Sequence, residues 1–416
     1  MQTKLAPVYR DTPEGQEAEA ILRKCVHCGF CTATCPTYQT LGDELDGPRG
    51  RIYLIKQVLE GAAPTRATQQ HLDRCLTCRN CESTCPSGVQ YGHLVDIGRK
   101  VVEAQVPRPM GERLQRWALK EGLTSPLFAP AMKLGPPVRS LLPAHIRAKV
   151  PPKTEHGVWP TREHARKVLL HLGCVQPAML PNINYATARV LDAVGIQSVV
   201  VQGSQCCGAV KFHLNDQDGA KVQIRAHIDA WWPAVEAGEV EAIVSNASGC
   251  GVMIKDWAHI LRHEPAYADK AARISVLTRD LSELLPALLP ELVEQLEGKL
   301  QVDSQPMAYH PPCTLQHGQK LKGTVEAGLR QLGFQLVTAR TESHLCCGSA
   351  GTYSVLQPEI AHTLRERKLR ALQEVAVQPA AILSANIGCI VHLQSGTDIP
   401  VRHWVEVLDD ALRKAA

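Results

Sequence analysis

Apolar and polar positions follow two different rhythms along the 416-residue chain. After a Gly47-Pro48 start, Ile52, Ile55 and Leu59, with Leu54 and Val58 beside them, form a stripe of helical period. Helical spacing returns between positions 93 and 106 through Leu94, Ile97, Val101 and Val102. Beyond residue 165 the rhythm changes to short apolar runs alternating with helical ones. Residues 168–173 predict a strand, 184–194 a helix, and 197–201 and 242–246 two more strands. The strand pattern recurs at 307–310, 334–339 and 381–386. Such alternation predicts α/β units with parallel sheets, whereas the first hundred residues read as helical.

Between these regions, residues 99–167 hold fourteen Lys or Arg against five Asp or Glu, and ten of the 28 prolines. That composition predicts an irregular connector with short helices. It reads either as a solvated linker or as a docking surface for a partner or anionic lipid, using apolar stretches at 127–134 and 138–146.

Composition narrows the function classes. Hydrophobic residues at 44% and charged residues at 21% suit buried cores and exclude wholesale disorder. A net charge of +4 (45 basic, 41 acidic) argues against a nucleic-acid binder, and 4% aromatics leave few stacking platforms for single strands. No run of about 18 apolar residues predicts a membrane span, and the amino terminus lacks a secretory pattern. The expected location is cytoplasmic, with any attachment to the inner face of a membrane peripheral and borne by an assembly. Cysteines in a reducing compartment signal metal or redox chemistry when regularly spaced.

Sixteen cysteines are present. Cys25, Cys28, Cys31 and Cys35 form Cys-x2-Cys-x2-Cys-x3-Cys followed by Pro36, and Cys75, Cys78, Cys81 and Cys85, followed by Pro86, repeat it 50 residues later. This is the bacterial ferredoxin spacing for a [4Fe–4S] cluster. Three thiolates at three-residue intervals serve one cube, while the fourth is carried to the other. The expected sets are therefore Cys25, Cys28, Cys31 and Cys85 for one cluster, and Cys75, Cys78, Cys81 and Cys35 for the second. A lone Cys-x2-Cys pair would favour zinc; two complete copies with terminal prolines favour iron–sulfur. The 39 residues between Cys35 and Cys75 leave room for helices, which favours an α-helical ferredoxin domain. Within them, Arg49 and Arg51 read as contacts for an acidic partner, as supports of the cluster loops, or as local surface salt bridges.

The other eight form a longer repeat: Cys174, Cys206, Cys207 and Cys250, then Cys313, Cys346, Cys347 and Cys389, at offsets of 139 or 140. A repeat kept in register across four positions indicates a duplicated unit. Each of these cysteines follows an expected strand, so the thiols converge on one sheet edge. Three readings compete for them: a further iron–sulfur cluster, zinc, or inert buried thiols. His171, His213, His310 and His344 lie nearby in sequence, but a lone histidine is more often packed or solvated, and none is assigned. The expected architecture is α+β and multidomain. An α-helical ferredoxin domain with two [4Fe–4S] motifs spans 1–104 and a basic Pro-rich connector 105–165. Two duplicated α/β Cys-Cys-Gly halves follow at 166–300 and 301–416.

The stretch KCVHCGFCTATCPTYQTLGDELDGPRGRIYLIKQVLEG, followed by HLDRCLTCRNCESTCPSGVQY, ASGCG, CTLQHGQKL and SHLCCGSAGTY, carries a family resemblance. It resembles the iron–sulfur electron-transfer subunits of bacterial flavin-linked dehydrogenases, glycolate oxidases (glycolate dehydrogenases) among them, and of heterodisulfide reductases. The likeness covers nearly the whole chain outside 105–165. It implies a complex with FAD-containing glycolate oxidase subunits that convert glycolate to glyoxylate, with this chain passing electrons to a quinone or other membrane acceptor. Neighbouring readings are the equivalent subunit in lactate or glycerol 3-phosphate oxidation, disulfide reduction at the Cys-Cys-Gly edge, a freestanding carrier, or a zinc-stabilised scaffold. One departure stands out: the broader pattern ends in Cys-x2-Cys, but Ala247 and Asn386 replace the first cysteine of that pair. No dinucleotide fingerprint, P-loop or Ser–His–Asp arrangement appears, so no catalytic residue is expected here and the FAD belongs to the partner.

Overall fold

The computed structural model describes residues 1–132, 156–202, 206–296, 305–374 and 377–415. The amino-terminal block is helical, as its apolar stripes require. Helix Pro13–Lys24 begins with Pro13 and is capped by Thr12, whose hydroxyl accepts the Gly15 N–H. Helix Pro48–Leu59 buries Ile52, Ile55, Val58 and Leu59 against Leu94, Val95, Ile97 and Val102 of helix Tyr91–Gln105. The two helices approach closely because of Gly98: a Cβ there would lie 2.6 Å from the Ile55 side chain.

Each cysteine-rich half is a four-stranded parallel sheet. The first contains β1 (Arg166–His171), β2 (Ile196–Val199), β3 (Ala242–Ser245) and β4 (Thr278–Asp280) in the order β2-β1-β3-β4. The second repeats it with β5 (Met307–Tyr309), β6 (Leu336–Thr338), β7 (Ile382–Ser384) and β8 (Val401–His403) in the order β6-β5-β7-β8. Strands β4 and β8 are absent from the apolar pattern because Thr-Arg-Asp and Val-Arg-His are too short and polar to register. The chain leaves β1 towards β2 and returns across it to β3, so the topological switch point lies between β1 and β3, and likewise between β5 and β7.

One apolar core runs through both halves, joining Val168, Leu170 and Val244 to Tyr309, Ile382 and Trp404. Helix Asn182–Ala193 packs on helix Trp404–Ala415, where Arg189 Nη2 donates to Asp409 Oδ2 at 2.7 Å. The amino-terminal block rests on both halves. Arg79 and His93 meet Asp256 of the first, at 3.4 and 3.2 Å. Ser83 shares a hydrogen bond with His317 of the second at 3.0 Å, and the Tyr353 hydroxyl donates to the Arg74 carbonyl at 3.0 Å.

The described part of the connector is more regular than the irregular segment with short helices that its composition predicts. It holds a fifteen-residue helix, Met110–Thr124, because its basic residues find carboxylates on both sides. Buried Arg108 pairs with Asp73 at 2.6 Å, and Lys120 with Asp216 at 3.0 Å. Met110, Leu114 and Trp117 remain exposed on this helix. Residues 133–155, including the apolar stretch at 138–146, lie outside the described residues. Among the described residues, no helix is long and apolar enough to cross a membrane.

Candidate metal centres

Both ferredoxin motifs fold into the same loop. The residue before the second cysteine is left-handed in each (His27, φ 58°; Thr77, φ 51°), and so is the residue after it (Gly29, φ 85°; Arg79, φ 57°). At Gly29 a Cβ would lie 2.7 Å from Arg49 Nη1, so a side chain there would have to displace that guanidinium as well as adopt the left-handed backbone. These turns re-aim the backbone so that amides face sulfur: the Thr77 N–H donates to Cys75 Sγ at 3.4 Å.

The loops enclose two adjoining hollows. The outer one is lined by Cys25, Cys28, Cys31 and Cys85 and opens at the exposed Cys28. The inner one is lined by Cys35, Cys75, Cys78 and Cys81. The chain thus brings the last cysteine of each motif to the other motif's hollow. Cys81, Pro48 and Tyr91 line both, so the two share a wall.

The donor chemistry fits iron–sulfur clusters. Cysteine sulfurs and no carboxylate line both hollows, five at the outer one with the shared Cys81 and four at the inner one, a soft set in the exchanged arrangement that two cubes need. Burial and neighbouring thiols push the Cys31 pKa up to about 11 and those of Cys78 and Cys81 well above the ordinary range. Such crowded thiols ionise together only around cationic metal.

Positive charge also stands behind the inner hollow. Arg51, 1% exposed, donates to the His71 carbonyl at 2.7 Å, to the Thr37 hydroxyl at 3.1 Å and to Asp46 at 3.4 Å. Burial works against its charge, but Tyr91, Cys75, Cys35 and Asp46 hold its pKa above the ordinary value. Arg99 donates to the Cys75 carbonyl at 2.6 Å. Arg51 is therefore a support of the cluster loops, while Arg49 forms a surface ion pair with Glu44. Sequence reasoning missed Arg99, Asp46 and Tyr91, whose hydroxyl donates to Cys75 Sγ at 3.7 Å. Nothing in their local pattern separates them from ordinary helix residues.

In each cysteine-rich half the four thiols touch in a row, Cys174–Cys206–Cys207–Cys250 and Cys313–Cys346–Cys347–Cys389. Cys313 and Cys346 lie 3.7 Å apart, sulfur to sulfur. Cys174 and Cys206 likewise share a hydrogen bond, which holds the Cys206 pKa down and pushes that of Cys174 up. The other pairs each gain a histidine: ligating atoms of His171, Cys207 and Cys250 all lie within 4.8 Å of one another, as do those of His310, Cys347 and Cys389. The four histidines thus split. His171 and His310 join the thiols, whereas His213 lies beside Asp96 at 4.0 Å and His344 offers its carbonyl to His317. The signal that would have picked out the right two is their spacing of 139, which matches the cysteine repeat.

The departures from Cys-x2-Cys also have a structural role. Asn386 donates to Cys389 Sγ at 3.6 Å and accepts from the Gly249 N–H at 3.3 Å, so it ties a thiol of one half to the backbone of the other. Ala247, its counterpart, is buried at the start of helix Ser248–Lys255, which carries Cys250. The second half also touches the inner hollow: Leu76 and Cys78 pack with Cys313, Cys346 and Tyr353.

Paired sulfur-lined hollows on a helical domain, seated on two cysteine-rich α/β halves, define an iron–sulfur electron-transfer protein. The 4Fe-4S dicluster domain family matches residues 21–89, and the cysteine-rich domain family matches 168–255 and 307–394. The chain is 52% identical over 416 residues to the glycolate oxidase iron–sulfur subunit of Escherichia coli (strain K12), covering all of both chains. It is 28% identical over 414 residues to the probable glycolate oxidase iron–sulfur subunit of Bacillus subtilis (strain 168), covering 91% of this chain and 90% of that one. Lactate utilization protein A of Bacillus licheniformis is 27% identical over 252 residues, which is 58% of this chain and 99% of that protein. The chain belongs to the family of glycolate oxidase iron–sulfur subunits, components of an oxidoreductase complex.

Proposed function

We propose that this chain receives electrons from an FAD-carrying subunit that oxidises glycolate to glyoxylate, and delivers them to a quinone or another membrane acceptor. In this reading Cys25, Cys28, Cys31 and Cys85 hold one [4Fe–4S] cluster, and Cys75, Cys78, Cys81 and Cys35 hold the second. When bound, the two clusters would supply one-electron acceptor and donor capacity side by side. The observation that carries the proposal is the shared wall: Cys81 lines both hollows, so donor and acceptor positions adjoin.

The chain's own residues give the path a direction. Val26 and Phe30, 68% and 61% exposed, flank the exposed Cys28 and form an apolar rim on which a flavoprotein can exclude water. Arg51 and Arg79 line the inner hollow and offset the negative charge of four thiolates with their cluster. Tyr91 and Pro48 fill the space between the hollows and keep solvent out of the shared wall.

The test uses the intact assembly. Affinity purification of the full chain from glycolate-grown cells should recover a flavoprotein, and glycolate added without oxygen should bleach both flavin and cluster absorbance. A fully iron-loaded chain isolated without flavoprotein, together with unimpaired growth on glycolate after deletion of this chain, would overturn the proposal.

A further inference from the structure

The duplicated halves contain a second kind of site. We infer that each holds a single thiophilic divalent cation, zinc by its chemistry, with His171, Cys207 and Cys250 as ligands in the first half and His310, Cys347 and Cys389 in the second. Three observations converge on it. The first is compactness. A tetrahedral zinc ion, with bonds of about 2.0–2.3 Å, holds its donors about 3.5–3.8 Å apart. The ligand atoms of each group lie within 4.8 Å of one another, close enough to gather round one such ion, whereas thiolates on different irons of a cube stand farther apart.

The second is the state of the histidines. His171 is 1% exposed and His310 fully buried; neither ring nitrogen of His310 has a hydrogen-bonding partner, and the His171 ring meets only the Cys250 thiol. Buried polar atoms are ordinarily paired, so two buried imidazoles at equivalent places with no partner beyond a neighbouring thiol indicate a missing one. Each ring points at two thiols that need a cation to ionise.

The third is placement. His171 ends β1 and pairs in register with Ser245, the last residue of β3; His310 directly follows β5. Both therefore stand at the carboxyl edge of the central strand, at the switch point where open parallel sheets bind ligands. One nitrogen and two sulfurs form a borderline-soft donor set, which suits zinc better than magnesium or calcium. The remaining thiols, Cys174 with Cys206 and Cys313 with Cys346, adjoin each ion through the Cys206–Cys207 and Cys346–Cys347 contacts.

Metal analysis of the anaerobically purified full chain tests this without reference to activity. The expected result is about two zinc ions per chain in addition to the iron of the amino-terminal block. Zinc K-edge absorption should show nitrogen at about 2.0 Å beside sulfur at about 2.3 Å. His171→Ala and His310→Ala should each lose one zinc and leave iron content and the reduced-cluster EPR signal unchanged. The absorption measurement on the unmodified chain decides the matter if either variant fails to fold. An all-sulfur zinc shell would overturn the inference. So would iron in place of zinc at these positions, no metal beyond the amino-terminal block, or full zinc retention in folded variants.

Discussion

The outer and inner hollows arise from the same eleven-residue motif in the same loop conformation, yet their surroundings differ. At the outer one Cys28 is exposed and the rim is apolar and accessible. At the inner one Cys78 packs against the second cysteine-rich half, Cys81 is buried, and Arg51 sits underneath with almost no solvent contact. Spacing selects the ligands; the rest of the chain decides which site faces a partner and which is tuned by buried charge. Hydrogen bonding, net charge and solvent exposure set cluster potentials across roughly −700 to +450 mV, so two sites with identical donors need not work at the same potential.

The sharpest way to break this comparison is to remove the exchanged cysteines. Cys35→Ser should cost the inner cluster, lowering iron by about half while the outer cluster's EPR signal persists, and Cys85→Ser should do the reverse. Loss of the outer signal alone in Cys35→Ser would show that the fourth ligands are not exchanged.

Arg51 comes next. Arg51→Gln leaves Asp46 with Arg74 and His71 as its remaining partners, and breaking a buried ion pair costs about 3–5 kcal/mol. Removing a positive charge disfavours the reduced, more negative state, so the inner potential should fall by on the order of 60 mV, a tenfold change for one electron. Arg51→Lys should recover most of that shift. Redox titration followed by EPR checks both, and an equal shift at the outer site would erase the distinction.

A smaller effect is expected from pH, through the contact of Arg79 and His93 with Asp256. Burial opposes the Asp256 charge, but His93 and Arg79 hold its pKa well below the ordinary 3.8. Its contribution is complete above that ordinary value and is lost as pH falls through the lowered one. Burial also opposes the His93 charge, yet Asp256 raises its pKa above 6.5. That contribution is complete below 6.5 and is lost as pH rises through the raised value. Hydrogen exchange of helices Tyr91–Gln105 and Trp257–Ile260 should therefore be slowest between about pH 4 and 6.5, and Asp256→Asn should flatten the profile. Arg79 lines the inner hollow alone, so any accompanying change in potential belongs there.

The mildest expected change is at the rim. Phe30→Ser should slow electron acceptance from the flavoprotein roughly two- to tenfold with both potentials unchanged. An unaltered rate would place the docking surface elsewhere, and helix Met110–Thr124 with its exposed Leu114 and Trp117 would be the next surface to mutate.

Much of this organisation is legible in the residue pattern, for reasons that also explain what is not. Helices 48–59 and 91–105 bury one face each, so their period shows. Strands β1 and β3 are continuous apolar runs because both faces of a parallel sheet are covered. The edge strands β4 and β8 carry no such signature, since three polar-mixed residues suffice to extend a sheet already built. The connector's composition conceals a helix because Arg108 and Arg116 are satisfied by Asp73, a residue 35 or more positions away. His171 and His310 stay anonymous as single residues and become significant only as a pair, through a spacing of 139 that matches the cysteine repeat.

The central claim is that two clusters stand side by side in the amino-terminal block, and EPR of the oxygen-free, dithionite-reduced full chain tests it most directly. The expected result is about eight irons and eight sulfides in that block, with a spectrum of two interacting spins broadened by their proximity. Zinc on the eight ferredoxin cysteines, or two sharp signals of magnetically isolated clusters, would contradict it.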